Sequence, residues 1–256
     1  MSIIQENKTI FQICIDLNDD IEELKKSRKK LLELNSDWNY LYIKSQRHLD
    51  QIMIDNFKNS TNKFENCIYK LYYEIPNFLE GSKKVQEITD VDEKERVRLI
   101  CALVSRTDVF RLGMVYRFGG LWCDLSSKFE MDINSDFANY DCCFIRKKQK
   151  EIRSSLIYAK KKHPVIKKIL DLALHLGLNE KCGNQYKLAG PGCVTTAINS
   201  IPKHELVKYK TKIFDDDDLD RCGCWSMKGV WKERLHTSPK SNPCQKINEH
   251  WLFSEY

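Results

Sequence analysis

Three charged side chains between residues 108 and 124 have the types and spacing that ligand binding requires. Asp108 and Arg111 are three residues apart, so on a helix they share one face. Asp124 ends the stretch GGLWCD (119–124). A carboxylate can accept from ribose hydroxyls or hold a divalent cation, and a guanidinium can donate two parallel hydrogen bonds to a phosphate. On spacing alone, Asp108 and Arg111 could also form a surface ion pair, and Asp124 could be a turn cap.

The elements around these residues predict that the three side chains meet. Residues 92–118 keep a helical period, with a possible break near 105–107, and Gly119 stands where a helix end favours a left-handed residue. The apolar run 121–125 predicts a strand. Because ligands of open α/β sheets bind outside the carboxyl ends of strands, the short Gly-Gly connection brings the charged residues to a binding edge.

The rest of the chain alternates between predicted strands and helices. Further strands are expected at 11–15, in 35–43 after a turn at Asn-Ser-Asp, at 141–147, at 154–159 and near 212. Further helices are expected at 21–34, 46–57, 64–74, 164–176 and from Pro191 onward. The acidic run 214–220 is expected to be a solvated loop. This alternation predicts an α/β fold with a mostly parallel sheet. No Pro-, Gly- or Ser-rich linker interrupts it, so we expect a single domain over 1–256.

Composition narrows the function classes. The 256 residues carry a formal net charge of +6, which suits an anionic ligand or simple solubility. The basic stretches 146–150 and 160–168 lack the interleaved aromatic residues of a single-strand nucleic-acid groove, so no nucleic-acid partner is expected.

Targeting features are also missing from the sequence. It has no apolar stretch of the roughly 20 residues that a membrane span needs. Its N-terminus has no cationic region followed by an apolar one. Eleven scattered cysteines suggest reduced thiols. We therefore expect a cytoplasmic protein.

The stretch SRTDVFRLGMVYRFGGLWCDLSSKFE (105–130) resembles the core of glycosyltransferases with the DXD sugar-binding region. That class includes yeast-type initiating α-1,6-mannosyltransferases, capsular and lipopolysaccharide sugar transferases and, more distantly, glucosyltransferase domains of clostridial toxins. Segments on both sides of this core resemble family segments less specifically, in the same order along the chain. They are NSDWNYLYI (35–43), IYAKKKHPVIKKILDLAL (157–174), LAGPGCVTTAI (188–198) and INEHWLFSEY (247–256).

The resemblance implies a GT-A-like fold and transfer of a hexose, with retention, from a UDP- or GDP-sugar to a hydroxyl acceptor. The acceptor would be a glycan, a lipid-linked saccharide or a protein. Asp108 would hold ribose or base, Arg111 would orient Asp108 and reach donor oxygens, and Asp124 would bind ribose and the shell of a Mn²⁺ or Mg²⁺ ion. The remaining residues expected at the donor are Gly120, Trp122, His250 and Trp251.

The sequence departs from the family pattern on the donor side. Ser126 replaces the second acid, which normally contacts the metal, and Cys14 replaces a tryptophan of the first strand. Ser126 or Ser127 could still hold a cation more weakly. Lys128 or the basic stretch could instead provide the counter-charge for the diphosphate. The chain could also be a non-catalytic nucleotide-sugar-binding relative that acts as a partner subunit. If the acceptor is lipid-linked, the basic patches could give a peripheral membrane contact.

Overall fold

The computed structural model describes residues 4–15, 22–80, 83–125, 128–148, 150–221 and 225–226. The strands are β1 (Thr9–Ile13), β2 (Asn39–Ile43), β3 (Gly120–Cys123), β4 (Lys128–Phe129), β5 (Cys142–Lys147), β6 (Glu151–Ala159), β7 (Thr211–Asp215) and β8 (Trp225–Ser226). The helices are α1 (Glu22–Leu34), α2 (Gln46–Met53), α3 (Lys63–Glu80), α4 (Lys83–Gln86), α5 (Val91–Phe118), α6 (Ile133–Asp136), α7 (Pro164–Leu174), α8 (Gln185–Leu188), α9 (Pro191–Asn199), α10 (Lys203–Lys208) and α11 (Asp216–Arg221). Wider helical turns at Ile54–Lys58 and His175–Asn179 extend α2 and α7.

Six strands form one sheet in the order β2-β1-β3-β6-β5-β7. The pairs β1–β2, β1–β3 and β5–β7 are parallel, and β6 runs antiparallel to both of its neighbours. The mostly parallel α/β sheet is therefore confirmed, and it is consistent with the expected GT-A-like architecture. A separate two-stranded sheet joins β4 to β8.

Helices cover both faces of the large sheet because its strands are apolar on both sides. Phe11 and Trp122 pack into the larger core with residues of α2, α3, α5, α7 and α9. Ile10 and Leu121, on the opposite face, pack with residues of α1, α6 and α11. Alternation along the strands thus sends Trp122 toward α5.

Helix α5 is continuous, so the predicted break near residues 105–107 is wrong. Asp90 caps its first turn by accepting from the backbone N–H of Glu93 at 2.7 Å. Residues 108–116 are all buried. Packing along this stretch outweighs the modest helix propensity of the β-branched residues within it.

Two glycines turn α5 directly into β3. Gly119 has the predicted positive φ (69°), but its ψ of −173° lies outside the left-handed helical region. Gly120 has φ 104°, and a Cβ there would lie 2.3 Å from the carbonyl oxygen of Thr9. Only glycine therefore allows this link to lie against β1.

The acidic run 214–220 forms the end of strand β7 and most of helix α11, so the predicted solvated loop is wrong. Buried Asp216 accepts from the backbone N–H of Lys148 at 3.1 Å and pairs with Arg153 at 2.8 Å. Acidic residues at 216–218 fill the first turn of α11, where the positive end of the helix dipole favours them.

The other predicted elements are present with shifted ends. Strand β1 begins two residues before the predicted start, and β6 begins three residues before it. Among the described residues, no helix is long and apolar enough to cross a membrane.

Candidate functional site

Asp124 lies at the carboxyl end of β3, where the sequence predicted a binding edge. The parallel neighbour β1 ends at the same edge. The backbone N–H of Asp124 donates to the carbonyl oxygen of Ser155 on β6 at 2.8 Å, so the β3–β6 pairing extends one residue past the strand.

Arg111 joins the two carboxylates of the predicted site. Its Nη2 lies 3.0 Å from Asp108 Oδ1, and its Nη1 lies 3.5 Å from Asp124 Oδ1. Asp108 is 4% exposed and Arg111 is 7% exposed, so the alternative of a surface ion pair is wrong. A buried guanidinium between two carboxylates offsets the cost of removing those charges from water.

Trp122 fixes the orientation of Asp124. Its indole Nε1 donates to Asp124 Oδ1 at 2.8 Å, and the Arg111 guanidinium lies 4.9 Å from its ring centroid. The Trp122 side chain is 1% exposed, whereas that of Asp124 is 31% exposed. Because Trp122 and Arg111 both contact Oδ1, the oxygen of Asp124 available to a ligand is Oδ2.

A bulge in β6 supplies the opposite wall. Phe144 of β5 pairs with Ile157, but the next residue, Ile145, pairs with Arg153, so residues 154–156 bulge out of the β5–β6 ladder. The Ser154 carbonyl oxygen accepts from Arg111 Nη1 at 2.6 Å. Bulges often occur beside functional sites because they redirect backbone groups in this way.

The segment before α9 covers the other side of Asp108. A Cβ added at Gly190 would lie 3.2 Å from Asp108 Oδ2, which shows how closely this loop approaches the carboxylate. The stretch LAGPGCVTTAI, singled out in the sequence, therefore contacts the predicted site.

Burial changes the protonation of both carboxylates. Burial raises the pKa of Asp108 to about 6; Arg111 opposes this rise, and the nearby Asp124 adds to it. Burial also raises the pKa of Asp124, against the lowering effects of Arg111 and of the Trp122 hydrogen bond. Arg111 thus favours the ionised form of both acids and opposes the effect of burial.

Among the described residues of the site, Asp124 is the side chain best placed to be a ligand of a metal ion. They contain no group of three or more His, Cys, Asp or Glu side chains placed to hold one. One carboxylate oxygen suffices for Mg²⁺ or a similar cation when substrate phosphates and waters complete the coordination. Asp124 Oδ2 fits that limited role.

The other predicted site residues have different outcomes. Ser126, His250 and Trp251 lie outside the described residues. Gly120 is packed on the backbone of Thr9, and the ring of Trp122 is buried. Direct contact of these two residues with a donor remains a prediction.

Sequence reasoning missed the contribution of β6. Ser154 and Ser155 lie at the bulge beside Arg111 and Asp124, and nothing in the pattern of residues 154–159 indicates a bulge. The approach of Gly190 to the site could be predicted only from the resemblance of residues 188–198 to the family's segment.

Comparisons with known proteins find weak structural likeness. No protein-family profile matches the chain, and no curated protein matches it. Among solved structures, the "PaToxG Glycosyltransferase" is 18% identical, with 79% of this chain and 73% of that chain covered and a TM-score of 0.49. The ligand-free glycosyltransferase domain of the YGT toxin is 8% identical, with 92% and 83% covered and a TM-score of 0.46. The UDP-bound form of that domain is also 8% identical, with 95% and 88% covered and a TM-score of 0.42.

Proposed function

We propose that the chain is a glycosyltransferase that moves a hexose from a UDP- or GDP-sugar to a hydroxyl acceptor, with retention. The observation that carries this proposal is the Asp108–Arg111–Asp124 cluster at the carboxyl end of β3, in which Asp108 and Arg111 are buried and Asp124 is partly exposed. The same three residues match the specific core of the resemblance to DXD-region glycosyltransferases, from α-1,6-mannosyltransferases to toxin glucosyltransferases.

Each residue of the cluster has a role in this proposal. Asp108 accepts from hydroxyls of the donor, and Arg111 orients both carboxylates and donates to donor oxygens. Asp124 presents Oδ2 to the ribose or to a cation, with Trp122 holding its other oxygen in place. A Mn²⁺ or Mg²⁺ ion bound at Asp124 and at Ser126 would neutralise the leaving diphosphate.

The acceptor side is proposed in general terms. A glycan, a lipid-linked saccharide or a protein would provide the hydroxyl. For a lipid-linked acceptor, the basic patches would hold a cytoplasmic chain at the membrane surface. His250 and Trp251 would contact the donor.

Thermal denaturation with UDP-, GDP- and CMP-sugars, each with EDTA and with Mn²⁺, tests the proposal. A ligand that binds only the folded state raises the melting temperature by mass action. We expect one donor to raise it more strongly with Mn²⁺ and to be hydrolysed slowly. If no nucleotide sugar shifts the transition at a concentration of several millimolar, the proposed function is wrong.

A second candidate is a nucleotide-sugar-binding subunit without turnover, which the serine at position 126 favours. It predicts a donor-induced shift that is equal in EDTA and Mn²⁺, with no hydrolysis. Ser126→Asp separates the two candidates, because a gain of Mn²⁺-dependent activity would mean that only the metal position had been lost.

A further inference from the structure

Ser155 has a buried hydroxyl without a hydrogen-bond partner. Its residue is 6% exposed, and within the described part of the chain its Oγ contacts no donor or acceptor. An unsatisfied buried polar group costs about 1–3 kcal/mol, so its presence needs an explanation.

The position of Ser155 points to the candidate site. The β3–β6 register pairs Cys123 with Leu156, and one residue further Asp124 faces Ser155. In an antiparallel pair, directly opposed side chains project from the same face, with Cβ atoms roughly 4.5–5.5 Å apart. The Ser155 side chain therefore projects from the same face of the sheet as Asp124 and Trp122, the face that α5 with Arg111 covers.

A second unsatisfied group belongs to the same site. Nε of Arg111 is also buried and without a partner among the described residues. The site thus holds one unused N–H donor, one unused hydroxyl and the Oδ2 acceptor of Asp124. A hydroxyl of a sugar both donates and accepts, so it complements this set.

Ligand preference disfavours a cation as the group that Ser155 contacts. The Arg111 guanidinium lies within 3.5 Å of Asp124 Oδ1 and donates to the carbonyl of the adjacent Ser154. A divalent cation prefers carboxylate oxygens to a hydroxyl, so Asp124 Oδ2 is the better ligand for it and Ser155 is left for another group. A neutral sugar hydroxyl can both donate to and accept from the Ser155 hydroxyl.

We propose that the Ser155 hydroxyl binds a sugar hydroxyl of the nucleotide-sugar donor, on either the ribose or the transferred hexose. This rests on the proposed function and adds a specific binding residue to it. The β3–β6 pairing places Ser155 opposite Asp124, within the bulge that residues 154–156 form against β5.

Ser155→Ala tests the proposal, and Ser154→Ala is its matched control. The two serines are adjacent and equally buried, but only Ser155 is directly opposite Asp124 in the β3–β6 pairing. Dissociation constants of UDP-glucose, GDP-mannose and UDP would be measured by calorimetry for the wild type and both variants, together with the melting temperature without ligand.

We expect Ser155→Ala to weaken donor binding about 3- to 10-fold, as the loss of one hydrogen bond predicts. Because the hydroxyl has no partner among the described residues, the melting temperature without ligand should not fall. Ser154→Ala should leave the dissociation constants unchanged. A loss for UDP-glucose but not UDP would assign the contact to the hexose, and an equal loss for both would assign it to the ribose.

The outcomes separate this inference from the proposed function. If the wild type binds none of the three ligands, the proposed function is wrong and this inference is wrong with it. If the wild type binds and Ser155→Ala binds equally well, only the role of Ser155 is overturned. A lower melting temperature in Ser155→Ala than in Ser154→Ala would also overturn it, because the hydroxyl would then serve an internal bond.

Discussion

The indole of Trp122 donates a 2.8 Å hydrogen bond to Oδ1 of Asp124, two residues further along the chain. Both side chains project from the same face of the strand because strand side chains repeat every second residue. The bond occupies one oxygen of the carboxylate and directs the other to the open side of the site.

Trp122→Phe should therefore weaken donor binding. The phenyl ring keeps most of the packing, but Asp124 loses a charge-assisted bond, so we expect about a tenfold rise in the dissociation constant of UDP-glucose or GDP-mannose. Trp38→Phe is the control, because Trp38 is also buried and its indole donates to Asn134 at 3.1 Å in the other core. Equal binding by both variants would contradict the orienting role of Trp122.

Arg111→Met should destabilise the fold strongly. It leaves Asp108 and Asp124 close together and partly or wholly buried without their counter-charge, at a cost of about 3–5 kcal/mol. Urea denaturation at pH 7 measures this change. Arg96→Met breaks a pair with the same three-residue spacing on the same helix, but Arg96 and Glu93 are partly exposed, so its cost should stay below about 1 kcal/mol. A similar loss in both variants would mean that burial does not set the strength of the Arg111 pair.

Stability should fall between about pH 4 and pH 6 because of Asp108. Burial raises the pKa of this carboxyl to about 6, above its ordinary value of 3.8, so the folded state favours the protonated form. The stabilising contribution is complete below about pH 4 and is lost as pH rises through 6. Asp108→Asn cannot ionise. The difference in free energy of unfolding between Asp108→Asn and the wild type should therefore grow in favour of the variant across this window. A pH-independent difference would show that the pKa of Asp108 is not raised.

Gly120→Ala should destabilise the chain by more than about 1 kcal/mol. The residue has φ 104°, and the added Cβ would meet the Thr9 carbonyl at 2.3 Å. Gly113→Ala, inside α5, is the matched control. The nearest atoms to its Cβ would belong to the side chains of Ile68 and Phe57, at 3.2 Å, while the helix gains propensity. We expect the control to lose less stability than Gly120→Ala in urea denaturation, and a neutral Gly120→Ala would refute the steric argument.

The meeting of Asp108, Arg111 and Asp124 could be predicted from the sequence because its causes are local. The three-residue spacing puts Asp108 and Arg111 on one helix face, and the glycine pair turns that helix directly into the strand of Asp124. Local sequence patterns also predicted the α/β class and most of the helices.

Burial of the cluster could not be predicted in the same way. It depends on β6 and on the loop around Gly190, which are 30 to 80 residues away from the cluster. The bulge at Ser154 and Ser155 exists only in the pairing of β5 with β6, so no pattern within β6 indicates it. The acidic run was wrongly predicted for a similar reason, since the partner of Asp216 is the distant Arg153.

The two-residue link between α5 and β3 also determines which side of the site can adapt. Gly120 is packed against Thr9, which blocks a shift of β3 toward β1 at this link. The link therefore restrains Asp108, Arg111 and Asp124 relative to one another. Under the proposed function, donors of different size would be accommodated on the facing side, where the loop around Gly190 approaches Asp108. Selection for a new sugar would accordingly change residues of that loop and spare Asp108, Arg111 and Asp124.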